Sequence, residues 1–141
     1  MKLTSIGLLL LVAALASAPS QAELVLIVHS SNSEAHLNLD QAQEIYLGRM
    51  TTFPSGAGVT AVDQKDGTRS KTEFLAKVLK KDPGQVKAYW SKMIFSGKGV
   101  PPAVIGDDAD VKNWVARHPE GLGYIDRGAV DSSVKVLLSV P

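Results

Sequence analysis

The stretch Val59-Thr60-Ala61-Val62-Asp63-Gln64-Lys65-Asp66-Gly67-Thr68-Arg69-Ser70, followed by Phe74, Leu75, Val78 and Leu79, decides the fold. Residues 59–62 are β-branched or small and read as a short strand. Residues 63–70 are polar and contain a glycine, the composition of a loop. The apolar positions that follow recur at intervals of three and four, the spacing of one helix face. Ser70 with Glu73 three residues later fits a capping box, which starts the helix near Ser70. The order strand, polar loop, helix is the unit from which α/β domains are built.

Working outward, Leu24–His29 (LVLIVH) is a continuous apolar run ended by Ser30-Ser31-Asn32-Ser33, and it reads as a strand buried on both faces. Leu39, Ala42, Ile45 and Tyr46 share a helix face, with Asp40 at the acidic start and Gly48 past the end. Residues 53–58 form a turn-rich loop. Asp82-Pro83 opens another helix, with aspartate as cap and proline in the first turn, and Val86, Tyr89, Trp90, Met93 and Ile94 form its expected buried stripe. Gly97, Gly99, Pro101 and Pro102 then break the pattern. Asp107 or Asp108 restarts it, and Val111, Trp114 and Val115 give a helix face that stops before Pro119. Gly121-Leu122-Gly123-Tyr124-Ile125 reads as a turn into a strand, and Val134–Val140 is a final strand. The expected architecture is α/β, a three-layer sandwich with a mixed sheet of four or five strands and helices on both faces.

The N-terminus carries an address. Lys2, the uncharged apolar run Ile6–Leu15 and the small residues Ala16, Ser17 and Ala18 make the three parts of a signal peptide, too short for a membrane span. Cleavage is expected after Ala18 or Ala22, and the composition change at Glu23 favours the second. The chain is then a signal peptide, 1–22, and one exported domain, 23–141, with no transmembrane segment in the mature part. Fifteen basic residues nearly balance fourteen acidic ones, so no field points to nucleic acid. Cysteine is absent, which excludes disulfides, thiolate metal sites and a cysteine nucleophile.

The loop Gly67-Thr68-Arg69-Ser70 meets a helix N-terminus, where free amides and the positive dipole end attract anions. Thr68 and Ser70 offer hydroxyls, Gly67 allows close backbone approach, and Arg69 can pair with an oxyanion. The same residues also suit a plain capped helix, and capping boxes far outnumber anion sites. His29, His36 and His118 lack helical-pair spacing and supporting ligands, so no metal site is expected, and no cofactor either. No nucleophile elbow or nucleotide loop occurs, so the chain does not read as an enzyme. Tyr89, Trp90 and Trp114 read as core. Residues 95–102 suit a docking loop or a simple connection equally.

Several stretches occur in an order that resembles a known family: Glu44-Ile45-Tyr46-Leu47-Gly48-Arg49, the loop 66–70 with Phe74, Tyr89-Trp90 with Ile94-Phe95-Ser96-Gly97 and Pro101-Pro102, and residues 121–125. Together they resemble the phosphate-type (PstS-like) periplasmic substrate-binding proteins of ABC transporters, specifically short, single-lobe members. The resemblance implies one lobe of a type II periplasmic binding protein, where two lobes close on phosphate. It places Thr68 and Ser70 on hydroxyl ligand positions and Arg69 on a glycine. The family's anchoring arginine falls at Gln64, so Arg69 or Lys65 would have to supply the charge. The opposing lobe, with its buried carboxylate acceptor, has no counterpart here.

The expected function is therefore periplasmic binding of phosphate or a related oxyanion, with Gln64, Gly67, Thr68, Arg69 and Ser70 as the anion site. Three or four charge-assisted hydrogen bonds at about 1.5–3 kcal/mol each, less roughly 4 kcal/mol for association, imply millimolar affinity unless a second copy or an envelope protein closes the cleft. The alternative expectation is a module that kept the fold, lost the anion and docks an envelope partner.

Overall fold

The computed structural model describes residues 23–141; the signal-peptide expectation falls on residues 1–22, outside the described residues. Five strands form one mixed sheet: β1 (Leu24–His29), β2 (Thr60–Gln64), β3 (Ala103–Gly106), β4 (Gly121–Asp126) and β5 (Val134–Val140), in the order β3-β2-β4-β1-β5. β2 lies parallel to both β3 and β4, and β1 lies antiparallel to β4 and β5. The helices are α1 (Leu39–Tyr46), α2 (Arg69–Phe74, continued by a π-helical turn over Leu75–Leu79), α3 (Pro83–Phe95) and α4 (Asp108–Ala116).

Strand alternation sends side chains into two cores, one on each face. Leu24, Leu26, Val28, Leu122 and Tyr124 pack with α1, α2 and the π-helical turn. Val25, Ile27, Val62 and Ile125 pack with Val111 and Val115 of α4. The layers are thus helix, sheet, helix, as expected, and β1 is buried on both faces. Gly123 allows the α4 layer to lie close, because a Cβ there would sit 2.5 Å from Val111 Cγ1.

Four details differ from the sequence reading. β2 begins at Thr60 and runs to Gln64, because its ladder to β4 starts at the Thr60–Gly121 pair and its ladder to β3 reaches Gln64; Val59 instead donates to Thr51 across the preceding loop. The cap of α2 is Thr68, whose hydroxyl accepts the Lys71 amide, and not Ser70. The stripe of α3 is only partly covered: Trp90 is buried, Val86, Tyr89 and Met93 are half-buried, and Ile94 stands exposed, because the neighbouring sheet edge is the short β3. β3 itself was not expected. It follows Pro101-Pro102, lies largely exposed, and owes its existence to pairing with β2.

Candidate functional site

In an open α/β sheet, ligands bind beyond the carboxyl ends of parallel strands, where successive connections leave to opposite sides. β2 is that strand here. The chain leaves β2 through α2 and α3 on one face to reach β3, then crosses through α4 on the other face to reach β4. The N-termini of α2 and α4 therefore meet at the carboxyl edge formed by Gln64, Gly106 and Asp126.

Gln64 ends β2 fully buried, and its side chain organises the edge. Its Nε2 donates to Asp108 Oδ1 and to the Tyr124 carbonyl, each at 2.8 Å, and its Oε1 accepts from Thr68 Oγ1 at 2.9 Å. Gly67, at φ +88°, turns the chain from β2 into α2. Ser70, buried as the second residue of α2, donates from Oγ to Asp108 Oδ1 at 2.6 Å. The backbone amide of Asp126 reaches the same oxygen at 3.1 Å. One carboxylate oxygen therefore collects an amide, a hydroxyl and a backbone N–H, three donors converging as they would on a bound anion.

Asp108 is free to do this because Asp107 caps α4, accepting from the Asp110 amide at 3.1 Å. That amide is the main reason the Asp107 carboxyl is held below the usual range. Asp108 also stands at the positive end of the α4 dipole, where a carboxylate is favoured.

A second, partly buried network backs the first. Tyr124 donates its hydroxyl to Asp63 Oδ1, Lys71 Nζ meets Asp63 Oδ2 at 2.5 Å, and the Gln64 amide reaches Asp63 Oδ1 at 2.8 Å. Burial, and then the Asp63 charge, push the Tyr124 and Tyr46 hydroxyls well above the ordinary tyrosine range. Phe74, the last residue of α2, stacks on Tyr124 with ring centroids 4.0 Å apart and holds that end of the helix against β4.

The structure brings Gln64, Gly67, Thr68 and Ser70 to one edge, where the Thr68 hydroxyl is paired with Gln64 and the Lys71 amide and the Ser70 hydroxyl with Asp108. Arg69 points elsewhere: it is 71% exposed, with Nε 3.6 Å from Glu73 Oε1. Leu24, Arg69, Ser70, Glu73 and Asp126 line a narrow recess there. Sequence reasoning missed Asp108 and the Asp63–Lys71–Tyr124 group. A pointer existed for the first, since Asp107-Asp108 holds two aspartates where a cap uses one. Among the described residues, no cluster of His, Cys, Asp or Glu suits a metal ion, and no helix is long and apolar enough to cross a membrane.

Solved structures with a similar fold include three phosphate-related proteins. A putative phosphate ABC transporter substrate-binding protein with bound phosphate from Clostridium perfringens matches with a TM-score of 0.67 at 22% identity, over 82% of this chain and 44% of that one. An ABC-type phosphate transport receptor from Vibrio cholerae matches at 0.61 and 19% identity, and PstS from Borrelia burgdorferi at 0.62 and 12%, each over 82% of this chain and 46% of the other. The fold is shared. The chain spans less than half the length of these neighbours. No family model matches the sequence, and no curated protein matches it significantly.

Proposed function

We propose that this chain is a single exported domain, 23–141, that binds phosphate or a related oxyanion in the periplasm as one half of a substrate-binding site, without enzymatic activity. The observation that carries the reading is the convergence of Ser70 Oγ, Gln64 Nε2 and the Asp126 amide on one anionic oxygen at the strand switch point. The likeness of fold to phosphate-binding transport proteins supports it.

The reading also predicts which oxyanion is preferred. Phosphate near neutral pH retains a proton on oxygen and can donate a hydrogen bond to Asp108, Asp126 or Glu73, whereas sulfate brings no proton and meets those carboxylates as a like charge. Phosphate must draw Ser70 and Gln64 away from Asp108 or share them with it. Affinity is accordingly weak, in the millimolar range (about −4 kcal/mol).

Calorimetry with phosphate and with sulfate tests this. The expected result is millimolar phosphate binding, weaker sulfate binding, and loss of both in Ser70→Ala. Asp108→Ala, which frees the donors, should tighten sulfate more than phosphate. Absence of any heat or melting shift in wild type and in Asp108→Ala at tens of millimolar phosphate would remove the proposal.

A further inference from the structure

The C-terminal tip of α3 and the loop after it carry an unusual pairing of surface chemistries. Phe95 is 96% exposed, Val100 77% and Ile94 54%, and Val104 on the edge strand β3 adds another at 61%. Ile94 and Val104 line one groove and Val100 the adjoining one, which shares Trp90, Pro101 and Pro102 with it, and large apolar side chains exposed on adjoining surfaces mark an interaction surface. From Pro83 to Gly106 the sequence contains Lys87, Lys92 and Lys98 and no aspartate or glutamate. All three lysines are exposed, and none takes part in an ion pair among the described residues.

The charges decide what covers the tip. A second copy would bring its own three lysines against these, and the acidic residues of the adjoining groove are Asp63 and Asp66, with Asp63 already held by Lys71. The shape decides the rest. Phe95 does not line the adjoining groove, whose walls are Trp90, Ile94, Pro101, Pro102 and their neighbours; it projects beyond it. A projecting aromatic needs a medium that yields around it, and lysines beside it need negative charge at the same level. A bilayer surface with anionic headgroups supplies both, taking the ring at the acyl boundary while the lysine stems extend their ammonium groups to the phosphates.

We infer that the α3 tip, Ile94 and Phe95 with Val100, docks this domain peripherally on an anionic membrane surface, with Lys92 and Lys98 as the charged contacts and Lys87 one layer back. The surface is separate from the carboxyl-edge site, so the inference does not depend on phosphate binding.

Vesicle co-sedimentation tests it, using a chain that begins at Glu23 and so keeps every element of the described fold while lacking the apolar leader. Binding is expected to vesicles of phosphatidylglycerol and phosphatidylcholine in equal parts and not to phosphatidylcholine alone, and it should weaken with salt. Phe95→Ser should weaken it at least about ten-fold, and Lys92→Gln or Lys98→Gln roughly five-fold each. Ser70→Ala should bind as wild type does. Thermal denaturation of each variant separates lost binding from lost folding.

No sedimentation at millimolar anionic lipid overturns the inference. So does equal binding by Phe95→Ser, which would leave only nonspecific lysine attraction. A Phe95-dependent sedimentation coefficient without lipid would assign the tip to a second copy instead.

Discussion

At the carboxyl edge of the sheet, Gln64 is fully buried and its amide is matched by Asp108, Tyr124 and Thr68, whereas at the tip of α3 Phe95 stands almost wholly in water. Each residue is in the environment its side chain least prefers. The edge resolves the conflict internally: among the described residues, no buried side-chain polar atom lacks a partner, because Asp108 reaches across from α4 to meet the donors of β2 and α2. The tip has no such resolution within the chain. Cooperative polar networks stabilise a fold only when complete, so the edge should be sensitive to every substitution and the tip to almost none.

The sharpest way to break that contrast is Gln64→Leu. The leucine fits the volume but removes the amide donor to the Tyr124 carbonyl and to Asp108 and the acceptor of the Thr68 hydroxyl. A loss of about 3 kcal/mol is expected, a large share of the roughly 5–15 kcal/mol that holds a domain together. Urea denaturation reads it as a lower midpoint at unchanged slope. A cost below about 1 kcal/mol would show that the network fills space without holding the edge.

The two regions also differ in how far they could be read from the sequence. β1, α1, α4, β4 and β5 were legible because each buries a periodic or continuous apolar set, a signal carried within the element itself. β3 was not, since its four residues are largely exposed and depend on hydrogen bonds to β2, far away in the chain. The stripe on α3 was legible as periodicity, yet periodicity does not say whether a sheet extends far enough to cover it. At the site, Gln64, Gly67, Thr68 and Ser70 were legible because they share one loop. Asp108 joins them from 44 residues beyond Gln64, and no local pattern reports such a contact.

Alkaline pH sharpens the comparison next. The buried hydroxyls of Tyr46 and Tyr124 hold their protons in the folded chain far above the ordinary range, while in the unfolded chain they ionise near pH 10. Above that pH the folded state binds more protons, so unfolding stability falls as pH rises, and it is fully present below about pH 10. The slope should approach about 1.4 kcal/mol per pH unit for each tyrosine. Tyr46→Phe, whose hydroxyl contacts only backbone carbonyls of Val62 and Leu122, should flatten the fall by one tyrosine's share. Denaturant midpoints followed from neutral pH into this range measure it, and an unchanged slope in Tyr46→Phe would contradict the assignment.

A smaller effect separates the two hydroxyls of the α2 loop. Thr68→Ala removes the cap on the Lys71 amide and a partner of Gln64, and should cost about 1–2 kcal/mol. Thr68→Ser keeps both bonds and should recover most of that. Ser70→Ala removes one of three donors to Asp108 and should cost about 1 kcal/mol. If Ser70 were instead the cap, Ser70→Ala would be the costlier change and Thr68→Ala close to neutral, an order that equilibrium unfolding of the three variants can reverse or uphold.

The smallest expected effect is at the tip, and its smallness gives it meaning. Phe95 is the last residue of α3, so serine in its place meets no helix interior and removes little burial, the ring being 96% exposed. Surface changes of this kind stay within about 0.5 kcal/mol, and taking an exposed aromatic out of water should if anything favour solubility. Phe95→Ser is therefore expected to unfold at the same denaturant concentration as wild type while losing its attachment to anionic vesicles. A marked loss of stability would mean that the ring packs on the chain in solution, and the contrast between a self-satisfied edge and an outward-facing tip would fail at its second half.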